Sequence, residues 1–141
     1  MGDISISTEA MKYIRMASDI TMVDILDCLI TEDRLVFVVR KGDLGAAIGR
    51  KASNLRRLES LFKKNIKFVE YHEDKVQFIR NLCKPFKAQN ITFTGREDAP
   101  IVHIVVKPSE KSKLIGRNGR NIELIRELAR RHHSIKDVQV K

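Results

Sequence analysis

The chain repeats itself at a spacing of 67 residues, and this duplication limits the folds open to it more than any other feature. Leu35-Val36-Phe37-Val38-Val39-Arg40 returns as Val102-His103-Ile104-Val105-Val106-Lys107, and Ala47-Ile48-Gly49-Arg50 returns as Leu114-Ile115-Gly116-Arg117. Asn54-Leu55 returns as Asn121-Ile122. After an insertion of two residues, Asn65-Ile66-Lys67-Phe68-Val69 aligns with Ser134-Ile135-Lys136-Asp137-Val138. Self-similarity of this length marks a duplicated supersecondary unit. The expected domains are 1–72 and 73–141. Units of this size lie near the lower limit for an independent core, so the copies are expected to lean on each other.

Hydrophobic periodicity assigns the same element order to both copies. Ser7 reads as the cap of a helix over 8–19, with Glu9 in its first turn and Met11, Ile14 and Ala17 or Ser18 facing inward. Two β-branched runs, 23–30 and 35–40, flank a hairpin turn at 31–34. A short helix over 43–48 runs into the segment 49–52. A longer helix over 53–63 then places Leu55, Leu58 and Leu61 or Phe62 on one face, with Arg56, Arg57 and Lys63 on the other. A strand over 66–71 closes the copy. In the second copy, Asp74 with Gln77 resembles a capping box for a helix over 75–83, and Pro85 ends it. Strands are expected at 90–94 and 101–107 around a turn at 95–100. Ser109 is the expected cap of the next short helix. The long helix over 119–132 buries Ile122, Ile125 and Leu128 or Ala129, and 135–140 closes the unit. Each copy is thus α-β-β-α-α-β, an α+β fold with a three-stranded sheet and helices on one face. His72, Glu73 and Asp74 alone join the copies, without the glycine, serine or proline of a flexible linker.

Between the two consecutive helices of each copy lies a glycine segment. In the second copy it is Gly116-Arg117-Asn118-Gly119, preceded by Lys113, Leu114 and Ile115 and followed by Arg120. Glycine reaches backbone angles closed to other residues and admits close approach to the main chain. A helix starting at such a turn presents unpaired N–H groups and a positive dipole end to a phosphate. Gly116 and Gly119 are read as points of close approach and Lys113, Arg117 and Arg120 as phosphate charge. Asn118 either contacts phosphate or favours the turn, and Leu114, Ile115 and Ile122 divide between core and an apolar floor for bases. The first copy carries Gly49, Arg50, Lys51 and Ala52 at this place. Ala52 is harmless if its backbone is already helical, and costs about 1–2 kcal/mol if the left-handed region is required.

Charge gathers at the same segments. Residues 1–72 hold twelve Lys/Arg against ten Asp/Glu, a balance of +2, while residues 73–141 hold fifteen against eight, a balance of +7. Arg50, Lys51, Arg56, Arg57, Lys63, Lys64 and Lys67 face only Glu59 within 49–67. Such clusters suit a phosphate backbone. Tyr13, Tyr71 and six phenylalanines are scattered, so base-stacking platforms of aromatic residues are not expected. Cys28 and Cys83 have no metal or redox spacing and read as buried small hydrophobes. His132-His133 lacks a carboxylate or cysteine at ligand spacing and reads as a helix end. No nucleophile–base motif is present and Gly42-Asp43-Leu44-Gly45 is no phosphate-binding P-loop, so neither an enzyme nor a metal or other cofactor is expected. No apolar run of about 20 residues exists, and the N-terminus lacks an apolar signal stretch, which points to a cytoplasmic protein without membrane partners.

The helix–GXXG–helix arrangement within α-β-β-α-α-β order resembles the type II KH domain in both copies. KH modules clamp about four nucleotides of a single strand through this loop. The stretch from Ile66 to Asp74 running into Phe78-Ile79-Arg80-Asn81-Leu82 is similar to the KH–KH junction of archaeal NusA-like proteins. Ile115-Gly116-Arg117-Asn118-Gly119-Arg120-Asn121-Ile122 resembles the second KH loop of NusA termination and antitermination factors. The resemblance implies single-stranded RNA binding coupled to transcription elongation or termination. RNA polymerase or other transcription factors are the further partners it implies, although the polymerase-binding and OB-fold domains of bacterial members are not recognised here. A ribosome-associated or RNA-processing KH adaptor is the alternative, because fold alone does not fix function.

Overall fold

The computed structural model describes residues 6–141, which divide into two compact units, one reaching to His72 and the other running from Glu73 to Lys141. The first unit contains α1 (Thr8–Thr21), β1 (Ile25–Ile30), β2 (Arg34–Val39), α2 (Leu44–Ile48), α3 (Ser53–Phe62) and β3 (Asn65–Glu70). The second contains α4 (Lys75–Cys83), β4 (Asn90–Arg96), β5 (Ala99–Val105), α5 (Pro108–Ile115), α6 (Arg120–His133) and β6 (Asp137–Val140). Both follow the expected α-β-β-α-α-β order. In each sheet the middle strand pairs antiparallel with its hairpin neighbour and parallel with the closing strand, giving the orders β1-β2-β3 and β4-β5-β6. The parallel pair requires a crossover, and the two consecutive helices supply it. Among the described residues no helix is long and apolar enough to cross a membrane.

The helix start at Ser7 is as expected: its hydroxyl accepts from the Ala10 amide at 3.1 Å. Of the residues expected on the inward face of α1, Ala17 is buried and Ile14 packs against the core, but Met11 is 58% exposed; Ala10 and Thr21 complete the buried line. Small side chains let α1 lie close to β1, and Ile14 and Tyr13 flank the core from the side. Leu35, Phe37 and Val39 of β2, Ala47 of α2 and Leu58 of α3 complete that core. Of the Leu61/Phe62 pair, Phe62 turns inward to meet Tyr13 edge-on at 5.0 Å, and Leu61 stays exposed.

In the second unit Asp74 caps α4 by accepting from the Gln77 amide at 3.1 Å, while the Gln77 side chain donates forward to Asn81 rather than completing a capping box. The expected turn at 95–100 shrinks to Glu97 and Asp98. Gly95 pairs with Pro100 and Arg96 with Ala99, so the strands continue almost to the tip. Pro100 fits there because its carbonyl is what the sheet uses, accepting from the Lys136 amide at 2.8 Å. Ser109 does not cap α5. The helix begins two residues earlier, with Pro108 as its first residue and Lys107 before it, because proline's fixed φ already suits a first helical position. Cys28 and Cys83 are buried and unbridged.

The repeat is registered differently from the expectation at its closing strand. Arg34 pairs with Asn65, and its counterpart Ile101 pairs with Asp137, so Asn65 corresponds to Asp137 rather than to Ser134. The difference is a turn of helix: α3 spans 10 residues and α6 spans 14. That extra turn carries His132 and His133, whose rings pack on Phe78 of α4 at 5.6 and 5.1 Å. The Ile-Lys match at 66–67 and 135–136 was a coincidence of sequence. Ile135 is buried, but it precedes the strand.

Candidate nucleic-acid interface

The two glycine segments adopt the same backbone. Gly49 has φ 81°, ψ 164° and Gly116 has φ 81°, ψ 166°, a region essentially reserved for glycine. Arg50 and Arg117 follow, and two left-handed residues complete each turn: Lys51 (φ 54°) and Ala52 (φ 59°) in one, Asn118 (φ 55°) and Gly119 (φ 75°) in the other. The Ala52 amide donates to the Gly49 carbonyl at 3.0 Å, and the Gly119 amide donates to the Gly116 carbonyl at the same distance. The glycines of a loop are therefore unequal. The first is obligatory; the last occupies a left-handed position that alanine also reaches, at a cost of about 1–2 kcal/mol. The first loop keeps the shape with Lys51 and Ala52 where the second has Asn118 and glycine, residues that tolerate left-handed angles.

Neither α3 nor α6 has a side-chain cap at its N-terminus. The Ser53 and Arg120 amides that open these helices donate to the Arg50 and Arg117 carbonyls of the loops, and the positive end of each helix dipole points at its loop. Arg117, Asn118 and Arg120 stand exposed around the start of α6, and Lys113 is exposed on the last turn of α5. Arg50 and Lys51 are exposed in the first loop. At the positions of Lys113 and Arg120 the first copy has Ala46 and Ser53, so its loop is less cationic. Leu114 and Ile122 belong to the core, leaving half-buried Ile115 as the apolar residue beside the second loop.

A groove of about 400 Å³ opens beside this loop, lined by Ile115, Gly119, Ile122, Glu123, Arg126, Gln139 and Val140. One wall is α6 and the other is the free edge of β6. Arg126 ties the walls together. Its guanidinium donates to Glu123 at 2.8 Å and to the Val138 carbonyl at 3.1 Å, and forms an ion pair with Asp137 at 2.9 Å. The corresponding residues of the first unit are Ile48, Ala52, Leu55, Arg56, Glu59, Lys67 and Phe68. There the same two wall positions carry opposite charge: Arg56 replaces Glu123 and Glu59 replaces Arg126. Glu59 accepts from the Ile66 amide at 3.5 Å, the mirror of the Arg126 contact to β6, and Arg56 donates to the Lys51 carbonyl of the loop.

The loop residues singled out from sequence lie at the two loops and the helix ends that flank them, whereas Lys63 and Lys64 follow the far end of α3 and Lys67 lies in β3. Glu123 and Arg126 were not foreseen, since a bridge between distant segments leaves no local pattern. Asn54 and Asn121 were visible in the repeat but had no assigned role. Each lies against the first glycine of its loop. A Cβ on Gly116 would sit 3.0 Å from the Asn121 Cγ, and one on Gly49 would sit 3.0 Å from the Asn54 Cγ. At these glycines the space is already filled by protein. Among the described residues no group of His, Cys, Asp and Glu could hold a metal ion.

Comparison with known proteins agrees with this geometry. A KH domain family matches residues 11–85, and the family described as the NusA-like second KH domain matches residues 75–140. A Methanocaldococcus jannaschii protein named probable transcription termination protein NusA is 30% identical, over 99% of this chain and 76% of its own length. A protein of the same name from Halobacterium salinarum is 34% identical over 97% of this chain and 98% of its own. The solved crystal structure of APE1850 superposes with a TM-score of 0.81 at 30% identity, covering 96% of this chain and all of that one. With both KH units matched and relatives aligned along nearly its full length, the chain belongs to the NusA-like family of KH-domain proteins.

Proposed function

We propose that this protein is a transcription termination factor of the cytoplasm that binds single-stranded RNA through its two glycine loops, with RNA polymerase or another transcription factor as its protein partner. The observation that carries the reading is the loop built twice to one backbone geometry, each at the uncapped start of a long helix and each ringed by exposed arginine or lysine. A phosphate seated there meets the positive end of the helix dipole and side-chain charge together. The groove between α6 and β6 supplies an apolar floor of Ile115 and Val140 for bases. Gly116, Arg117, Asn118, Gly119, Arg120, Lys113 and Ile115 form the stronger site, and Gly49, Arg50, Lys51 and Ala52 the weaker.

Two measurements test this. Titration of a labelled single-stranded RNA against increasing salt should give log K falling against log salt, since each neutralised phosphate of a single strand contributes about −0.7 to the slope. A Lys113/Arg117/Arg120 site predicts a slope of roughly −2. Recovery of the tagged protein from cells with RNA polymerase subunits supports the transcription role, whereas recovery with ribosomal subunits replaces it by the adaptor reading.

A further inference from the structure

We propose that Asn54 and Asn121 are positioning residues that lock the two RNA loops, each acting as a substitute for the amide that its preceding helix lacks. This rests on the RNA-binding reading of the loops. The last bond of α5 runs from the Gly116 amide to the Ser112 carbonyl at 2.9 Å, and that of α2 from the Gly49 amide to the Gly45 carbonyl at 2.9 Å. The next carbonyls along each helix, Lys113 and Ala46, have lost their helical donor because the chain turns away. The Asn121 side-chain amide donates to the Lys113 carbonyl at 3.0 Å, and the Asn54 amide donates to the Ala46 carbonyl at 3.2 Å. Each bond spans eight residues and crosses the loop, joining the end of the short helix to the first turn of the long one. The first glycine is the other half of the device, since any Cβ there would collide with this asparagine. Two copies that differ at two of their four loop positions retain both halves. The clamp sets the angle between the helix that carries Lys113 and the helix whose N-terminal end carries Arg120 beside the loop. Holding that angle in the free protein spares the ordering cost on binding.

The test uses the full chain and a fluorescein-labelled ten-nucleotide single-stranded RNA of mixed sequence. Asn121→Asp keeps the shape but, when ionised, has no proton to donate; protonated, it donates again. Asn121→Ala removes the donor without adding charge. Both variants are expected to bind about tenfold more weakly near neutral pH, the equivalent of one charge-free hydrogen bond lost, about 1.4 kcal/mol. The deficit of Asn121→Asp relative to wild type is expected to narrow toward about pH 4, where a carboxyl begins to protonate. Amide exchange at Gly119 is expected to quicken in both, and exchange at Ala52 to quicken in Asn54→Ala. Wild-type affinity and wild-type exchange in Asn121→Ala would overturn the proposal. So would a loss confined to Asn121→Asp at every pH, which would be charge repulsion alone. Faster exchange in a chain that binds no RNA even as wild type would uphold the clamp and refute the RNA reading instead.

Discussion

Ala52→Gly is expected to stabilise the protein, an unusual sign for a substitution to glycine. Ala52 sits at φ 59°, ψ 30° in the first loop. An L-residue with a β-carbon holds that left-handed conformation at a cost of about 1–2 kcal/mol. Glycine removes the cost but loses about 0.5–1 kcal/mol more backbone entropy on folding. The balance is a gain of roughly 0.5–1 kcal/mol, drawn from these two opposing terms. For a unit of this size each kcal/mol moves the thermal midpoint by about 4–8 °C. Calorimetry on Ala52→Gly should therefore show a rise of a few degrees. The second loop provides the opposite experiment. Gly119 occupies the matching position at φ 75°, and a Cβ added there would meet only Ile122 Cγ2 at 3.6 Å, an ordinary contact. Gly119→Ala thus isolates the backbone cost and should lower the midpoint by a similar amount. A fall in stability for Ala52→Gly, or no change for Gly119→Ala, would refute the argument that the last loop position is a left-handed site with no packing role.

Replacing Arg117 and Asn118 together by aspartates should cut RNA affinity at least tenfold, about 1.4 kcal/mol, with the thermal midpoint nearly unmoved because both side chains are exposed; anisotropy titration paired with calorimetry checks it. The matching change at Arg50 and Lys51 should weaken the same RNA less, and an equal or larger loss would reverse the ranking of the two loops. At about four nucleotides per KH groove, RNAs beyond roughly eight to ten nucleotides should bind more tightly than shorter ones, because the short connection through His72, Glu73 and Asp74 keeps the second loop at high effective concentration. A Gly-Ser insertion after His72 should erode that gain, and indifference to RNA length would show that the loops do not engage one strand.

Much of this protein could be read from its sequence because the informative patterns are local. Helix capping by Ser7 and Asp74, the β-branched strands and the helical stripes of α3 and α6 depend on neighbours within a turn or two. The duplication gives each element a second time, which is why the fold class and the place of both loops are legible in the sequence. The errors arose where side chains compete for one interior. Met11 is more apolar than Ala10, yet close approach of α1 to its sheet favours the smaller residue. The extra turn of α6 is selected by Phe78 of α4, which is distant in sequence. Whether Ala52 is helical or left-handed could not be settled by its identity, since alanine reaches both; closure of the loop onto α3 decides it. The Arg126 bridge to β6, the groove it spans and the asparagine clamps exist only once helix, loop and edge strand meet. Residue types and their period determine which elements form; which atoms of those elements touch is decided by the packing of the whole unit.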